Sequence, residues 1–233
     1  MSIKENLEKI NSEISETCKS CKRNSSQVKL VAVSKFHPLE KIEEAISAGQ
    51  LLFGENRVQE AKEKFTQISL KYPNVDLHII GSLQRNKVKD AVKIASCIES
   101  VDRLELLDEI EKQCSKIDKK IDVLLEVHTG EESKSGFLDF TSLEQAVCAL
   151  AENKYPHVNV RGLMTMAPFT EDESLIRKSF STTKKYLEDL KSKYPALNLT
   201  ELSMGMSNDF KIAIEEGSTM IRVGTSIFGA REY

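Results

Sequence analysis

Eight short apolar runs, each followed by a helix-like segment, predict an α/β protein with a parallel sheet. An amphipathic segment ahead of the first run adds an N-terminal helix. The chain has no linker rich in Pro, Gly or Ser and no internal repeat, so residues 1–233 read as a single domain. Closed on itself, the sheet is a single (β/α)8 TIM-like barrel. A doubly wound open sheet is the alternative, and strand counting does not exclude it.

Ile3, Leu7, Ile10, Ile14 and Cys18 recur at spacings of four, three, four and four, which is one helical face. This helix, within residues 1–25, is expected to pack on the barrel; the repeat is brief for a coiled coil. The first strand is expected at 28–33. Pro38 then opens a helix carrying Ile42, Ala45 and Ile46, which Gly49 ends. Strands follow at 51–53, 77–80, 95–100 and 121–127, separated by helices from about 58 to 71, from about 86, and around Leu104, Leu107 and Ile110. Thr141 with Glu144, and Thr170 with Glu173, match capping boxes for two further helices, the second ending near Lys193. The sixth strand is expected at 158–164, the seventh at 199–204 and the eighth at 220–223, with a helix at 210–216 and only a short tail after the last strand.

Composition excludes several classes. Hydrophobic residues are 40% and charged residues 30% of the chain, as in an ordinary globular protein that buries its own core. The net charge of −3 offers no footprint for nucleic acid. No apolar stretch approaches a membrane span, and Met1-Ser2-Ile3-Lys4-Glu5-Asn6 lacks a signal-peptide core, which predicts a cytoplasmic protein. Cys18, Cys21, Cys97, Cys114 and Cys148 are odd in number, so a disulfide framework is not expected. Cys18 and Cys21 form C-x-x-C, but no second ligand pair follows, and no metal site is expected.

Lys35 ends the first strand, and Val31, Val33 and Lys35 share a side by the period of two. A lysine aimed into a barrel is costly unless paired or neutral, and the neutral amine forms Schiff bases. A surface lysine just past the strand is the equally weighted alternative. Barrels commonly hold phosphate in the loops after strands seven and eight. Here those loops are Ser203-Met204-Gly205-Met206-Ser207 and Arg222-Val223-Gly224-Thr225. Glycine admits a close backbone approach, and Ser or Thr adds a hydroxyl donor; plain helix caps are the bland reading. Arg222 should point to the side of Gly224. Beside a pyridine nitrogen it would keep that nitrogen unprotonated; an ion pair with a carboxylate is the alternative. Asn56 ends the second strand and could reach the pocket. His78 reads better as a satisfied core histidine, and His128 follows strand five without an evident acid partner. Residues 131–136 form a polar loop on the same side, a lid or a solvated loop.

These pieces resemble the pyridoxal phosphate homeostasis proteins, the alanine racemase N-terminal-domain-like family. The resemblance is carried by Val31-Ala32-Val33-Ser34-Lys35, Phe53-Gly54-Glu55-Asn56, the run from His78 to Lys87, Ser133-Lys134-Ser135-Gly136, Arg161-Gly162-Leu163-Met164, Leu202-Ser203-Met204-Gly205-Met206-Ser207 and the run from Arg222 to Arg231. It implies a fold type III barrel holding pyridoxal 5′-phosphate (PLP) on Lys35. It also implies phosphate contacts from Ser203, Gly205, Ser207, Gly224 and Thr225, and Arg222 beside the pyridine nitrogen. His128 departs from the asparagine expected in many relatives. The implied role is intracellular PLP homeostasis without a robust reaction of its own, with PLP-dependent apoenzymes as partners.

The alternative is a PLP-dependent amino-acid racemase. Racemisation needs acid–base groups on both faces of the substrate. Lysine supplies one; in the related racemases a tyrosine from a second domain of a partner subunit supplies the other. Tyr72, Tyr155, Tyr186 and Tyr194 fall in or beside expected helices, and Tyr233 is terminal. The expectation is therefore a monomeric carrier, with at most weak racemase-like activity. A cofactor-free Schiff-base aldolase acting on a sugar phosphate is a third reading, which Arg222 fits less naturally.

Overall fold

The computed structural model describes residues 2–130 and 135–229. Its elements, in chain order, are α1 (Ile3–Ser20), β1 (Lys29–Val33), α2 (Leu39–Ser47), β2 (Leu52–Glu55), α3 (Val58–Lys71), β3 (Asp76–Ile79), α4 (Val88–Ile94), β4 (Cys97–Val101) and α5 (Leu104–Ser115). They continue as β5 (Ile121–Val127), α6 (Phe140–Ala151), β6 (Val158–Thr165), α7 (Glu173–Lys193), β7 (Glu201–Ser203), α8 (Phe210–Glu215), β8 (Met220–Val223) and α9 (Thr225–Phe228). The strands run parallel in the order β1 to β8, and β8 pairs with β1, with Val31 opposite Arg222, so the sheet is a closed barrel rather than an open one.

The period of two divides every strand between two interiors. Ala32, Phe53, Ile79, Ile98, Val123, Leu125, Leu163 and Ile221 belong to the main core, between sheet and helices. The alternate residues face the barrel axis, where Cys97, Leu124 and Met164 pack as a separate small cluster. Gly54 faces that axis too: a Cβ there would lie 2.8 Å from Val31 Cγ1 and 3.0 Å from Ile80 Cδ1.

The amphipathic face read from the sequence is the one α1 buries: Ile3, Leu7, Ile10, Ile14 and Cys18 are all in the core. The helix packs against α2, α8 and α9, across the seam where the last strand meets the first. Ser2 caps it in a full capping box with Glu5. Asn6 Nδ2 donates to Ile227 O at 2.8 Å, which ties the two ends of the chain together.

Three expectations need correction. The caps of α6 and α7 are Asp139 and Asp172, not Thr141 and Thr170. Asp139 accepts from Ser142 N at 2.7 Å, and Asp172 from Ser174 N at 2.8 Å. Aspartate outranks threonine at this position, and its charge suits the positive helix end. Thr170 instead accepts from Asp172 N. The segment from about 86 opens with a 3-10 turn at Arg85–Lys87 before α4. After β8 the chain turns at once into α9, burying Ile227 and Phe228, where only a tail was expected.

Candidate functional site

A cavity of about 370 Å³ opens at the C-terminal ends of the strands. Lys35, Asn56, Ser207, Arg222, Gly224 and Thr225 line it together. They come from four strand ends, and the sequence signalled each of them. Half-buried Lys35 stands two residues beyond Val33, whose side chain also lines the cavity.

The turn after β7 is shaped by Gly205, with φ of +98°. A Cβ there would lie 2.5 Å from Ala213 Cβ, so the turn and the first residues of α8 close together only on glycine. Asp209 Oδ1 takes the Met206 amide at 2.5 Å, and Gly205 O takes Arg222 N at 2.9 Å. The turn after β8 begins at Gly224, where a Cβ would sit 3.1 Å from Val33 O. Beyond it, the amides of Thr225 and Ser226 open α9 and have no helical acceptor upstream.

Ser203 and Gly205 do not line the cavity. Ser203 lies beneath its floor and is fully buried. Its hydroxyl donates to Glu99 Oε2 at 2.6 Å and accepts from Arg222 Nη1 at 2.7 Å. Arg222 Nη2 donates to Thr165 O at 2.9 Å. Glu99 Oε1 lies 2.6 Å from His78 Nδ1. A polar column thus runs down the barrel axis from Arg222 through Ser203 and Glu99 to His78. Burial pushes the Glu99 carboxyl up, but His78, Arg222 and the Ser203 hydroxyl outweigh it and hold the group below its ordinary value. His78 is the satisfied core histidine that the sequence suggested. Both readings of Arg222 meet here: it lines the cavity and also stands 4.0 Å from a carboxylate.

His37, Met166 and Glu126 line the cavity and escaped the sequence reading; of these Glu126 is the acidic one. Glu126 on β5 is 1% exposed and faces the cavity, with Ser135 Oγ 3.1 Å from each of its oxygens. Burial drives its carboxyl above the ordinary value, against the Ser135 bond. A carboxylate two residues past Leu124, on the same inward side, was its only sequence signal. His128 does not line the cavity; its amide donates to Phe137 O at 3.0 Å as the loop folds back on β5. Residues 131–134 of the polar loop, and Tyr233, lie outside the described residues.

The donor set suits an anionic, aldehyde-bearing ring: one amine, one buried guanidinium, one carboxamide, and two glycine turns carrying hydroxyls and amides. Comparison with known proteins bears on the same chemistry. The sequence model of the alanine racemase N-terminal domain matches residues 6–232. A pyridoxal phosphate homeostasis protein of Pasteurella multocida is 38% identical over 234 residues, spanning 100% of this chain and 99% of that one. A protein of the same name from Aquifex aeolicus is 38% identical over 98% of each. The structure of PipY from Synechococcus elongatus with PLP bound matches at a TM-score of 0.86 and 35% identity, covering 98% of this chain and 100% of that one. From the lysine at the first strand tip to the two glycine turns at the last, this chain belongs to the pyridoxal phosphate homeostasis protein family.

Proposed function

We propose that this chain binds pyridoxal 5′-phosphate in the upper cavity and serves its intracellular homeostasis as a carrier rather than a catalyst. The observation that carries the reading is the convergence of Lys35, Arg222 and both glycine turns on one cavity. Bound there, the cofactor would supply an aldehyde open to attack by an amine and a ring able to draw electrons. Lys35 offers the amine. Ser207, Gly224 and Thr225 offer hydroxyl and amide donors to the phosphate, and Gly205 allows the turn that carries Ser207. Ser203 holds Arg222 in place rather than touching the phosphate. A guanidinium donates and does not accept, so Arg222 would leave a facing ring nitrogen without a proton and weaken the electron sink. Asn56, also in the lining, would be a polar neighbour of the ring.

Support for carriage over racemisation comes from the tyrosines. Tyr72, Tyr155, Tyr186 and Tyr194 all lie outside the cavity lining. The family name points the same way. The reading includes a cytoplasmic monomer that yields the cofactor to PLP-dependent apoenzymes. The test is a visible spectrum of the protein with pyridoxal phosphate, before and after borohydride, with peptide mapping. A yellow protein labelled at Lys35 is expected. A colourless protein that takes up none of the cofactor would overturn the proposal and revive the cofactor-free aldolase.

A further inference from the structure

Outside the barrel, beneath α3, a buried ionic cluster grips the backbone on both sides of Lys35. Glu55 is the outward-facing end of β2 and fully buried. Lys64, on α3, keeps only 11% of its side chain exposed. Its ammonium lies 2.6 Å from Glu55 Oε1 and 2.9 Å from Glu60 Oε1. It also donates to Ser34 O at 3.0 Å and His37 O at 3.2 Å. Four acceptors crowd a group with three protons. Two of them are the carbonyls that bracket Lys35 and Phe36.

The same carboxylates hold the rest of the turn. Ser34 Oγ donates to Glu55 Oε1 at 2.7 Å, and the Phe36 amide donates to Glu60 Oε1 at 2.5 Å. His37 N closes the turn onto Ser34 O at 3.1 Å, and its ring stacks on Phe228 at 5.0 Å. Phe36 carries a φ of +65°, a left-handed conformation that an aromatic residue keeps only when its surroundings impose it. The cluster is a poor device for stability alone. Glu55 Oε2 is buried without a hydrogen-bond partner, and a buried ion pair is often no better than a well-packed apolar pair. Burial pushes the Glu55 carboxyl up, with Lys64 pulling it back.

We infer that Lys64, braced by Glu55 and Glu60, is a positioning residue that fixes the turn carrying Lys35 so that its amine meets the aldehyde. The inference rests on the cofactor reading above. In that condensation the Lys35 nitrogen takes the place of the aldehyde oxygen, which leaves as water with the two amine protons. Lys64 touches neither reactant. Its effect should therefore appear in the rate of this step and not in the grip on ring and phosphate.

Two ligands separate these quantities. Pyridoxal 5′-phosphate reports the condensation through its visible absorption; pyridoxine 5′-phosphate has the same ring and phosphate but an alcohol in place of the aldehyde. In the full chain, Lys64→Met is expected to slow the visible change by about 10- to 100-fold, the usual cost of misplacing a reacting group by an ångström. Its Kd for pyridoxine 5′-phosphate should stay within about twofold of the parent's, and Lys64→Arg should restore most of the rate. A Lys64→Met rate within about twofold of the parent's would overturn the inference, as would an equal loss of both ligands. Should Lys64→Met not fold, Glu60→Ala removes the acceptor of the Phe36 amide and one brace of Lys64. It should slow the visible change severalfold, and an unchanged rate there overturns the inference too. A parent protein that binds neither ligand would instead fell the cofactor reading, and this inference with it.

Discussion

The two mouths of the barrel spend their charges differently. At the N-terminal mouth, a cavity of about 320 Å³ is lined by Lys29, Asp76, Asp122, Arg161 and Glu201. Its cations are matched locally: Lys29 to Glu201 at 2.6 Å, Arg161 to Asp122 at 3.6 Å. At the C-terminal mouth, Arg222 is held by a hydroxyl and a carbonyl, with its carboxylate 4.0 Å away, and Lys35 sits on a turn pinned from outside the barrel. A mouth whose charges are paired side chain to side chain closes the fold. A mouth whose arginine is bonded to a hydroxyl and a carbonyl keeps that guanidinium turned toward a ligand, as the C-terminal face of such barrels does.

The sharpest break of this comparison is at the two lysines. Lys35→Ala should abolish the visible change on adding pyridoxal phosphate. Lys29→Ala, at the other mouth, should leave it within about twofold, because only a partly exposed pair is lost. Equal losses in a spectrophotometric titration would erase the distinction between the mouths.

Next come the two arginines, compared by urea unfolding. Arg222→Met takes from the fully buried Glu99 one of the groups that favour its anion and leaves Thr165 O without its donor, which should cost about 1–3 kcal/mol. Arg161→Met, at a half-exposed pair, should cost no more than about 1 kcal/mol. Glu99 also sets a pH dependence. Its folded carboxyl lies below the unfolded value despite burial, because His78, Arg222 and Ser203 favour the anion. That stability is present above the unfolded value, about pH 4.3, and is lost as pH falls through the folded one.

Gly205→Ala probes the upper mouth alone. With φ of +98° and a Cβ contact of 2.5 Å at Ala213, it should cost about 1–3 kcal/mol in thermal or urea unfolding. The smallest effect is at Glu126, whose sign is opposite to that of Glu99. Burial raises its folded carboxyl above the unfolded value. Its contribution is therefore present below the unfolded value and lost as pH rises through the folded one. Glu126→Gln should raise the Tm by about 2–4 °C near pH 8 and not near pH 3. A gain of equal size at both values would place the cost in packing rather than charge.

Local chemistry explains what the sequence disclosed. The helix Val58–Lys71 and the strand Met220–Val223 match their expected limits, because apolar periodicity and the flanking turns are written within each segment. Lys35, Ser207, Arg222, Gly224 and Thr225 were legible because their chemistry follows from standing at strand ends. The partner of Ser203 was not: Glu99 is 104 residues away, and which way a hydroxyl turns is decided across the barrel. Glu126 was hidden for the same reason, since which mouth an inward carboxylate serves is decided by the fold. Lys64 read as one polar position on a polar helix; only the fold brings its ammonium to the carbonyls of Ser34 and His37. Asp139 and Asp172 went unread because two threonine patterns fit the same helix starts.

The polar column down the axis has a consequence for how the molecule assembles. Its members are divided between the two halves of the chain: His78 and Glu99 stand on β3 and β4, Ser203 and Arg222 on β7 and β8. A half-barrel ending after β4 would keep Glu99 beside His78 but without Ser203, and the complementary half would keep Ser203 and Arg222 without Glu99. Each half holds only part of the column at that level of the axis. Ser203 and Arg222 meet Glu99 only when the halves do, so closing the barrel and completing the column become a single event.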